Sequence, residues 1–444
     1  SLRMGSFVES GTGQGREETP AAMWAQWSEL ADGQFCGELT EEQRAGAAFS
    51  ECTAPVNIAV IKYWGKRDEK LILPINDSLS VTLDQADLRT WTLVVASPHF
   101  ATDRLWLNSK ESPMDGDRMQ ACMAKLREMA DPKFAQYKIH VYTENNFPTA
   151  AGLASSASGL ACFVYSIAQA FGIQEQAQGD LSKIARMGSG SACRSLYGGF
   201  VAWKMGERAD GEDSVAVQVA PESHWPELRA LLLVVSDKEK GTPSTSGMKT
   251  SVDTSPLLNF RAREVVAGRM EEISRAILER DFDTFARITM QDSNQFHACC
   301  LDTYPPISYL SDTSRFIMAL IHWYNDFVGE TQVCYTFDAG PNAVLYTLEE
   351  HLAGLMQFLL YFFPPKDADA FDSYIPQPTL VSVLSSVGLD TPGKLEANNK
   401  ELPASMSDSM PASLRSNVLP GALRYMLLTK AGPGPQTLRS SASN

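Results

Sequence analysis

The chain has 444 residues, 44 % of them apolar and 9 % aromatic, which is enough for two domains or one large two-lobed unit with its own cores. Its formal net charge is −15 and the sequence pI lies near 4.9, a balance that speaks against nucleic acid or an anionic membrane as the main partner. An anionic metabolite would need a local pocket built from specific Lys and Arg, which narrows the search for those residues.

Residues 1–50 are polar, acidic and Gly-rich at first, with a short amphipathic piece around Trp24–Leu30, and read as a poorly ordered extension without chemistry of its own. From Thr53 the pattern changes. Strands are predicted at 56–62, 78–83, 90–96, 104–107 and 137–143, then a loop-helix over 148–172 and a short helix at 181–187. Further strands are predicted at 199–204, 214–219 and 229–236. After Pro256 the apolar spacing becomes helical, with Val266, Met270, Ile273 and Ile277 marking one helix and Phe282, Phe285 and Ile288 the next. A helix near 311–328 leads to strands at 332–337 and 343–348, and an apolar run at 352–363 has the length of a buried helix. The stretch 365–420 is rich in Ser, Pro, Asp and Asn and reads as a loop-like insertion, and 425–429 as a closing strand. Strands first and helices mixed in later predict an α+β fold with two lobes, 51–225 and 226–444. The eight cysteines are scattered with no Cys-x-x-Cys pair, as in a reducing compartment. The six histidines have no ligand spacing, so no protein-built zinc site is expected. No apolar run reaches transmembrane length and no secretory pattern is read, so the expected location is the cytosol.

Four segments carry chemistry. Residues 148–159, Pro-Thr-Ala-Ala-Gly-Leu-Ala-Ser-Ser-Ala-Ser-Gly, form a small-residue loop between a strand and a helix. Gly152 with its flanking alanines allows close backbone approach, and Ser155, Ser156 and Ser158 add hydroxyls at the positive end of the helix. That is a phosphate cradle, or equally a serine-capped helix after a glycine turn. Neither a Walker loop nor a dinucleotide fingerprint is present. Residues 54–67 take a buried strand into Lys62, Tyr63, Trp64, Lys66 and Arg67, three cations beside two aromatics. They suit an oxyanion, or lie at a solvated strand end with snorkelling lysines. Residues 335–343, Tyr-Thr-Phe-Asp-Ala-Gly-Pro-Asn-Ala, deliver Asp338 from a strand into a tight turn, as a catalytic carboxylate or as an Asx turn. Residues 186–199 place Ser189, Gly190, Ser191 and Arg194 as a backbone nest with an arginine, or as a Gly-rich hairpin.

Together the phrases Pro55–Asp68, Asn145–Gly159, Gly188–Gly199 and Phe337–Ala343, with Ser293–His297 and Asp302–Tyr309, closely resemble the mevalonate diphosphate decarboxylases of the GHMP kinase superfamily. The resemblance runs from about Thr53 to Leu348 and again at Tyr425–Gln436. The Tyr-Trp-Gly-Lys and Ser-Gly-Ser-Ala-Cys-Arg phrases set it apart from the sister kinases. It implies a GHMP-kinase-like fold, with an N-terminal lobe like domain 2 of ribosomal protein S5, a ferredoxin-like C-terminal lobe and the site between them.

It also implies an activity, the conversion of (R)-5-diphosphomevalonate and ATP, with Mg²⁺, into isopentenyl diphosphate, ADP, phosphate and CO2 by a cytosolic homodimer. A small-molecule kinase that stops at phosphorylation is the alternative, and a non-catalytic sensor on the same fold a third reading. By the resemblance Asp338 deprotonates or orients the C3 hydroxyl, Lys62 sits beside it, Asn57 positions its neighbours, and Arg194 holds the substrate carboxylate or diphosphate. Tyr63, Trp64, Gly65 and Lys66, the run Ser189, Gly190, Ser191, Ala192, Cys193 and Arg194, and Thr245 and Arg118 are implied as substrate contacts. Gly152, Leu153, Ala154, Ser155, Ser156 and Ser158 are implied as ATP contacts, with Ser156 near Mg²⁺.

Overall fold

In the computed structural model, which describes residues 20–147, 155–235, 241–367, 371–391, 402 and 404–443, the predicted strands pair into three antiparallel-dominated sheets and a short ribbon. The chain enters through α1 (Pro20–Ser28) and α2 (Glu41–Ala45), then β1 (Ala48–Pro55) and β2 (Asn57–Ile61). The ribbon of β3 (Lys66–Asp68) and β4 (Leu73–Pro74) follows, then β5 (Ser78–Thr82), β6 (Arg89–Ser97), β7 (Arg104–Leu107) and β8 (Lys110–Ser112). Next come α3 (Asp117–Met129), β9 (Lys138–Asn145), α4 (Ser155–Ala170), α5 (Asp180–Gly188), a 3₁₀ turn at Gly190–Leu196, β10 (Phe200–Trp203) and β11 (Ala216–Ala220). The second half comprises β12 (Leu228–Val234), α6 (Ser244–Thr254), α7 (Pro256–Phe260), a π-helical turn at Arg261–Val265, α8 (Val266–Glu279), α9 (Phe282–Asp302) and α10 (Asp312–Val328). It continues through β13 (Val333–Phe337), β14 (Ala343–Leu348), α11 (Glu349–Phe362), α12 (Phe371–Tyr374) and α13 (Pro378–Ser386) to β15 (Tyr425–Lys430) and β16 (Gln436–Ser440).

The sheets have the orders β16-β1-β6-β9-β7-β8, β11-β10-β5-β2 and β13-β14-β12-β15. Alternation along β6 sends Val94 and Ala96 towards α4, where Val164 and Ile167 cover them, and Leu93 and Val95 to the opposite face. That opposite face is covered by the segment predicted to be a poorly ordered extension, and the expectation fails for residues 20–50. Trp24, Trp27 and Phe35 pack with Leu93, Val95, Trp106 and Tyr142, and Trp27 is only 1 % exposed. Burial of these apolar side chains is what opposes the entropy cost of ordering the segment.

Two further expectations change. The stretch 365–420 is not wholly a loop. It holds α12, α13 and short helices at Ala404–Ser409 and Ala412–Arg415, and Leu380 and Leu384 are fully buried. Its Gln377 donates to the Leu428 carbonyl and accepts from the Leu428 N–H, which ties it to β15. Nor does 226–444 stay in one lobe, because β16 leaves the second half and pairs antiparallel with β1. Among the described residues no helix is long and apolar enough to cross a membrane.

Candidate active site

The second and third sheets meet at their edge strands, β2 and β13, and the Thr336 hydroxyl donates to the Ala59 carbonyl across the junction at 3.4 Å. Each edge strand ends one residue before a charged group. Lys62 follows β2 and Asp338 follows β13, and Lys62 Nζ lies 2.6 Å from Asp338 Oδ1. The lysine side chain is 3 % exposed and the aspartate 28 %, so the carboxylate stays reachable from outside. Burial lowers the Lys62 ammonium from its ordinary range, and the Asp338 charge works against that shift.

Arg194 lies beside this pair, in the 3₁₀ turn, and is 2 % exposed. Its Nε donates to Ser80 Oγ at 2.9 Å and Asn57 Oδ1 at 3.3 Å, and its Nη1 to Ser78 Oγ at 2.6 Å. Burial lowers its pKa, and the Cys193 and Asp338 charges act in the opposite sense. No hydrogen-bond partner of Nη2 occurs among the described residues. Asn57 also donates to the Ser191 carbonyl at 3.0 Å and Ser195 Oγ at 2.8 Å, so it holds the arginine-bearing turn rather than Lys62. The fixed side of the guanidinium is thus spent on two serine hydroxyls and the Asn57 amide oxygen.

Around this centre, Tyr63 packs edge-on to Trp203 at 4.7 Å, and its buried hydroxyl has no partner among the described residues. Gly190 leaves room for that ring, since a Cβ there would come within 2.7 Å of Tyr63 Cε1. Gly65 adopts φ +97°, and a Cβ would meet Ile75 Cδ1 at 2.7 Å, so only glycine fits the turn after Trp64. Lys66, buried, pairs with Glu69 at 2.6 Å. On the far rim Arg118 Nη1 of α3 reaches Thr245 Oγ1 of α6 at 3.5 Å, which brings two distant expected residues together. Ser156 is exposed in the first turn of α4, a helix of 16 residues.

Residues 54–216 match the family described as diphosphomevalonate decarboxylase-like N-terminal domain, and residues 230–438 match the mevalonate 5-diphosphate decarboxylase C-terminal domain. The bovine diphosphomevalonate decarboxylase is 53 % identical over 400 residues, covering 87 % of this chain and 93 % of that protein. The human one is 52 % identical over 399 residues, with 87 % and 93 % covered. The chain belongs to the mevalonate 5-diphosphate decarboxylase family. A crystal structure of a mevalonate 5-diphosphate decarboxylase superposes with a TM-score of 0.76 at 44 % identity, covering 88 % of this chain and 97 % of that one. A chain named MDDEF, solved in complex with MVAPP, AMPPCP and magnesium, gives a TM-score of 0.66 at 29 % identity, covering 88 % and 99 %. The fold is accordingly the GHMP-kinase-like two-lobed α+β fold.

Within this family frame several expected contacts take other positions. The Trp64 indole is buried between Phe296 and Tyr309 and its N–H is taken by Ser251 Oγ at 2.9 Å, so this side chain is core. Cys193 and Ala192 are fully buried. The Cys193 thiol bonds to the Gly190 carbonyl, and burial pushes it up to about 12. Ser158 is fully buried and accepts from Thr90 Oγ1 at 2.8 Å, so it braces α4 on β6 and does not face a ligand. Gly152, Leu153 and Ala154, with the Ser155 side chain, lie outside the described residues. Among the described residues no group of three or more His, Cys, Asp or Glu could hold a metal ion.

Two buried charges and a half-buried one went unread in the sequence. Asp292 of α9 accepts from the Lys62 N–H at 2.8 Å and from both terminal nitrogens of Arg261 at 2.7 and 2.9 Å, and Arg269 adds a contact at 3.0 Å. Burial works against the Asp292 carboxylate, but the Arg261 charge and these hydrogen bonds outweigh it and hold its carboxyl below the usual range. The one available signal was the Ser293–His297 phrase immediately after Asp292.

Proposed function

We infer that the chain catalyses the ATP-dependent decarboxylation of (R)-5-diphosphomevalonate to isopentenyl diphosphate, ADP, phosphate and CO2, a step of the mevalonate route to isoprenoids and sterols. The observation that carries this reading is the 2.6 Å Lys62–Asp338 pair beside Arg194, in a chain that belongs to the decarboxylase family. Asp338 takes or orients the proton of the C3 hydroxyl as its oxygen attacks the γ-phosphorus of ATP. Lys62 holds the carboxylate in place and keeps a positive charge next to the reacting oxygen. That attack forms an O–P bond as the bond from the γ-phosphorus to ADP breaks, and the C3–O bond then breaks with its electron pair leaving on phosphate while the bond to the carboxylate supplies the pair for the new double bond as CO2 departs.

In this reading the uncommitted Nη2 of Arg194 holds the substrate carboxylate, because Nε and Nη1 are already occupied. Tyr63, Ser189, Arg118 and Thr245 face the diphosphate, with Gly65 and Gly190 shaping the turns that carry them. Magnesium enters as part of the MgATP substrate, with its phosphates at the N-terminal end of α4 beside Ser156. Lys66 belongs to the same segment, with its buried ammonium paired to Glu69.

The deciding experiment is a coupled assay of ADP and CO2 with diphosphomevalonate. Equal stoichiometry of the two supports the decarboxylase, whereas ADP without CO2 would assign the kinase alternative.

A homodimer in the cytosol belongs to the same proposal. Leu257, Phe260, Leu301 and Tyr304, 47–77 % exposed, are brought near one another by α7 and the end of α9. An apolar group of that kind fits a second copy of the chain. All eight cysteines are free and buried, which accords with a reducing compartment. Sedimentation of the parent and of Phe260→Glu tests the dimer, with the variant expected to shift towards monomer.

A further inference from the structure

The reaction centre is assembled from two chain segments that no sheet joins. Lys62 lies one residue past the end of β2, and Asp338 one residue past the end of β13. Both strands are sheet edges, so beyond them each backbone lacks a strand neighbour on its outer side. Peptide groups buried in that position need other partners or they destabilise the fold. Of the four peptide groups described next, a single helix holds three directly, and the fourth is held by Arg261, which that helix anchors, and by Asn76.

On the Lys62 side, the N–H donates to Asp292 Oδ1 at 2.8 Å, and the carbonyl accepts from Arg261 Nη2 at 3.1 Å and Asn76 Nδ2 at 3.2 Å. Arg261 is itself forked onto Asp292, with both side chains fully buried. On the Asp338 side, the preceding Phe337 N–H donates to Ser293 Oγ at 3.0 Å, and the Phe337 carbonyl accepts from His297 Nε2 at 3.3 Å. A carbonyl can only accept, so the proton of the neutral ring sits on Nε2. Ser293 and His297 are one helical turn apart and share a face of α9, and Asp292 borders it. The same helix places Phe296 against Trp64, two residues beyond Lys62, at 4.9 Å.

We propose that α9 is the positioning frame of the reaction centre: Asp292, locked by Arg261, fixes the Lys62 peptide, while Ser293 and His297 fix the Phe337 peptide, so that one rigid helix sets the distance between Lys62 Nζ and Asp338. The proposal rests on the decarboxylase reading, in which that pair acts on the C3 hydroxyl. These are positioning residues. None needs to touch substrate, and each acts through a backbone group it holds. Setting both halves from one element ties their separation to the spacing of Asp292, Ser293 and His297 along one helix.

The test uses the full chain and two pairs of variants. Ser293→Ala and His297→Leu delete the hydrogen bonds to the Phe337 peptide, whereas Ser293→Thr and His297→Gln keep a hydroxyl acceptor and an N–H donor. The deleting variants are expected to lose about 10- to 100-fold in kcat with KM for both substrates within about threefold, and the conservative variants to recover most of that loss. A crystal structure of Ser293→Ala is expected to show the Lys62–Asp338 contact lengthened. Near-parent kcat in both deleting variants would overturn the proposal, as would conservative variants impaired as badly as the deleting ones. Should Ser293→Ala fail to fold, the Leu and Gln variants of His297 decide on the same criterion. The parent protein in the same assay keeps the two ideas apart. Absence of CO2 from the parent would refute the decarboxylase reading, while ADP formation would still report whether the frame matters for phosphoryl transfer.

Discussion

Asp338 and Lys62 form an ion pair with one dry partner. An exposed pair of this kind contributes little, but Lys62 is buried and pays desolvation that Asp338 offsets, so the ammonium is held in one place against the carboxylate. Replacing Asp338 by Asn keeps the shape and removes the basic oxygen. Asp338→Asn is expected to leave both KM values within severalfold and to lower kcat by about 10²- to 10⁴-fold, measured by steady-state kinetics on protein of parental circular dichroism. His297 gives a pH prediction. Burial first, then the Lys62 charge, lower its imidazole from 6.5 to about 4. The unfolded chain therefore binds a proton below pH 6.5 that the folded chain refuses until about pH 4. Its stability contribution is complete above pH 6.5 and is lost as pH falls through that window, by about 2 kcal/mol at pH 5. Urea unfolding at pH 7 and pH 5 should show the loss in the parent and a flatter dependence in His297→Gln. The buried His140, also lowered by burial, keeps some slope in both.

At the scale of elements, the N-terminal segment carries the clearest energetic consequence. Trp27 packs against Trp24 at 5.2 Å and Phe49 at 5.1 Å, over the face of β6 that carries Leu93 and Val95. Trp27→Ala is expected to cost about 3–5 kcal/mol, seen as a lower Tm, while kcat per folded molecule at 25 °C stays close to parental. A normal Tm would mean that the segment does not cover the sheet in solution. The sequence carried a hint of this cover. The run Leu93-Val-Val-Ala96 is apolar without alternation, the pattern of a strand buried on both faces. Most other elements were legible for the same reason in reverse. Their 3.6- or 2-residue periodicity is set by one covered face, as in α8, whose buried Val266, Met270, Ile273 and Ile277 are the residues that predicted it.

At the scale of the molecule, β16 makes the two halves depend on each other. The chain completes its second-lobe sheet at β15, then returns, with Gly432 exchanging hydrogen bonds with Thr82 and Gly199 before β16 pairs with β1. Folding is therefore expected to be a single cooperative transition. Deleting residues 432–444 should open the β1 edge, lower Tm and make the tryptophan-fluorescence and far-UV melts diverge. Coincident melts in the truncated chain would count against the coupling. Short, polar β16 gave no such warning, since Gln436, Leu438 and Arg439 read like any exposed tail.

Residue type and local order alone determined the chemistry on offer. A carboxylate after one strand, a lysine after another and an arginine in a glycine–serine turn are local facts, and so are the periodic faces of the helices and strands that hold them. Tertiary structure alone decided which groups meet. Lys62 and Asp338 are 276 residues apart along the chain, and Asp292 reaches the Lys62 peptide across 230. It also decided which polar groups are spent inside the protein, as Ser158 on Thr90 and the Trp64 indole on Ser251, and which have no partner among the described residues, as Arg194 Nη2 and the buried Tyr63 hydroxyl. The physical reason is that hydrogen bonding and burial are satisfied by neighbours in space. Sequence pattern records whether a face is covered, but not by what.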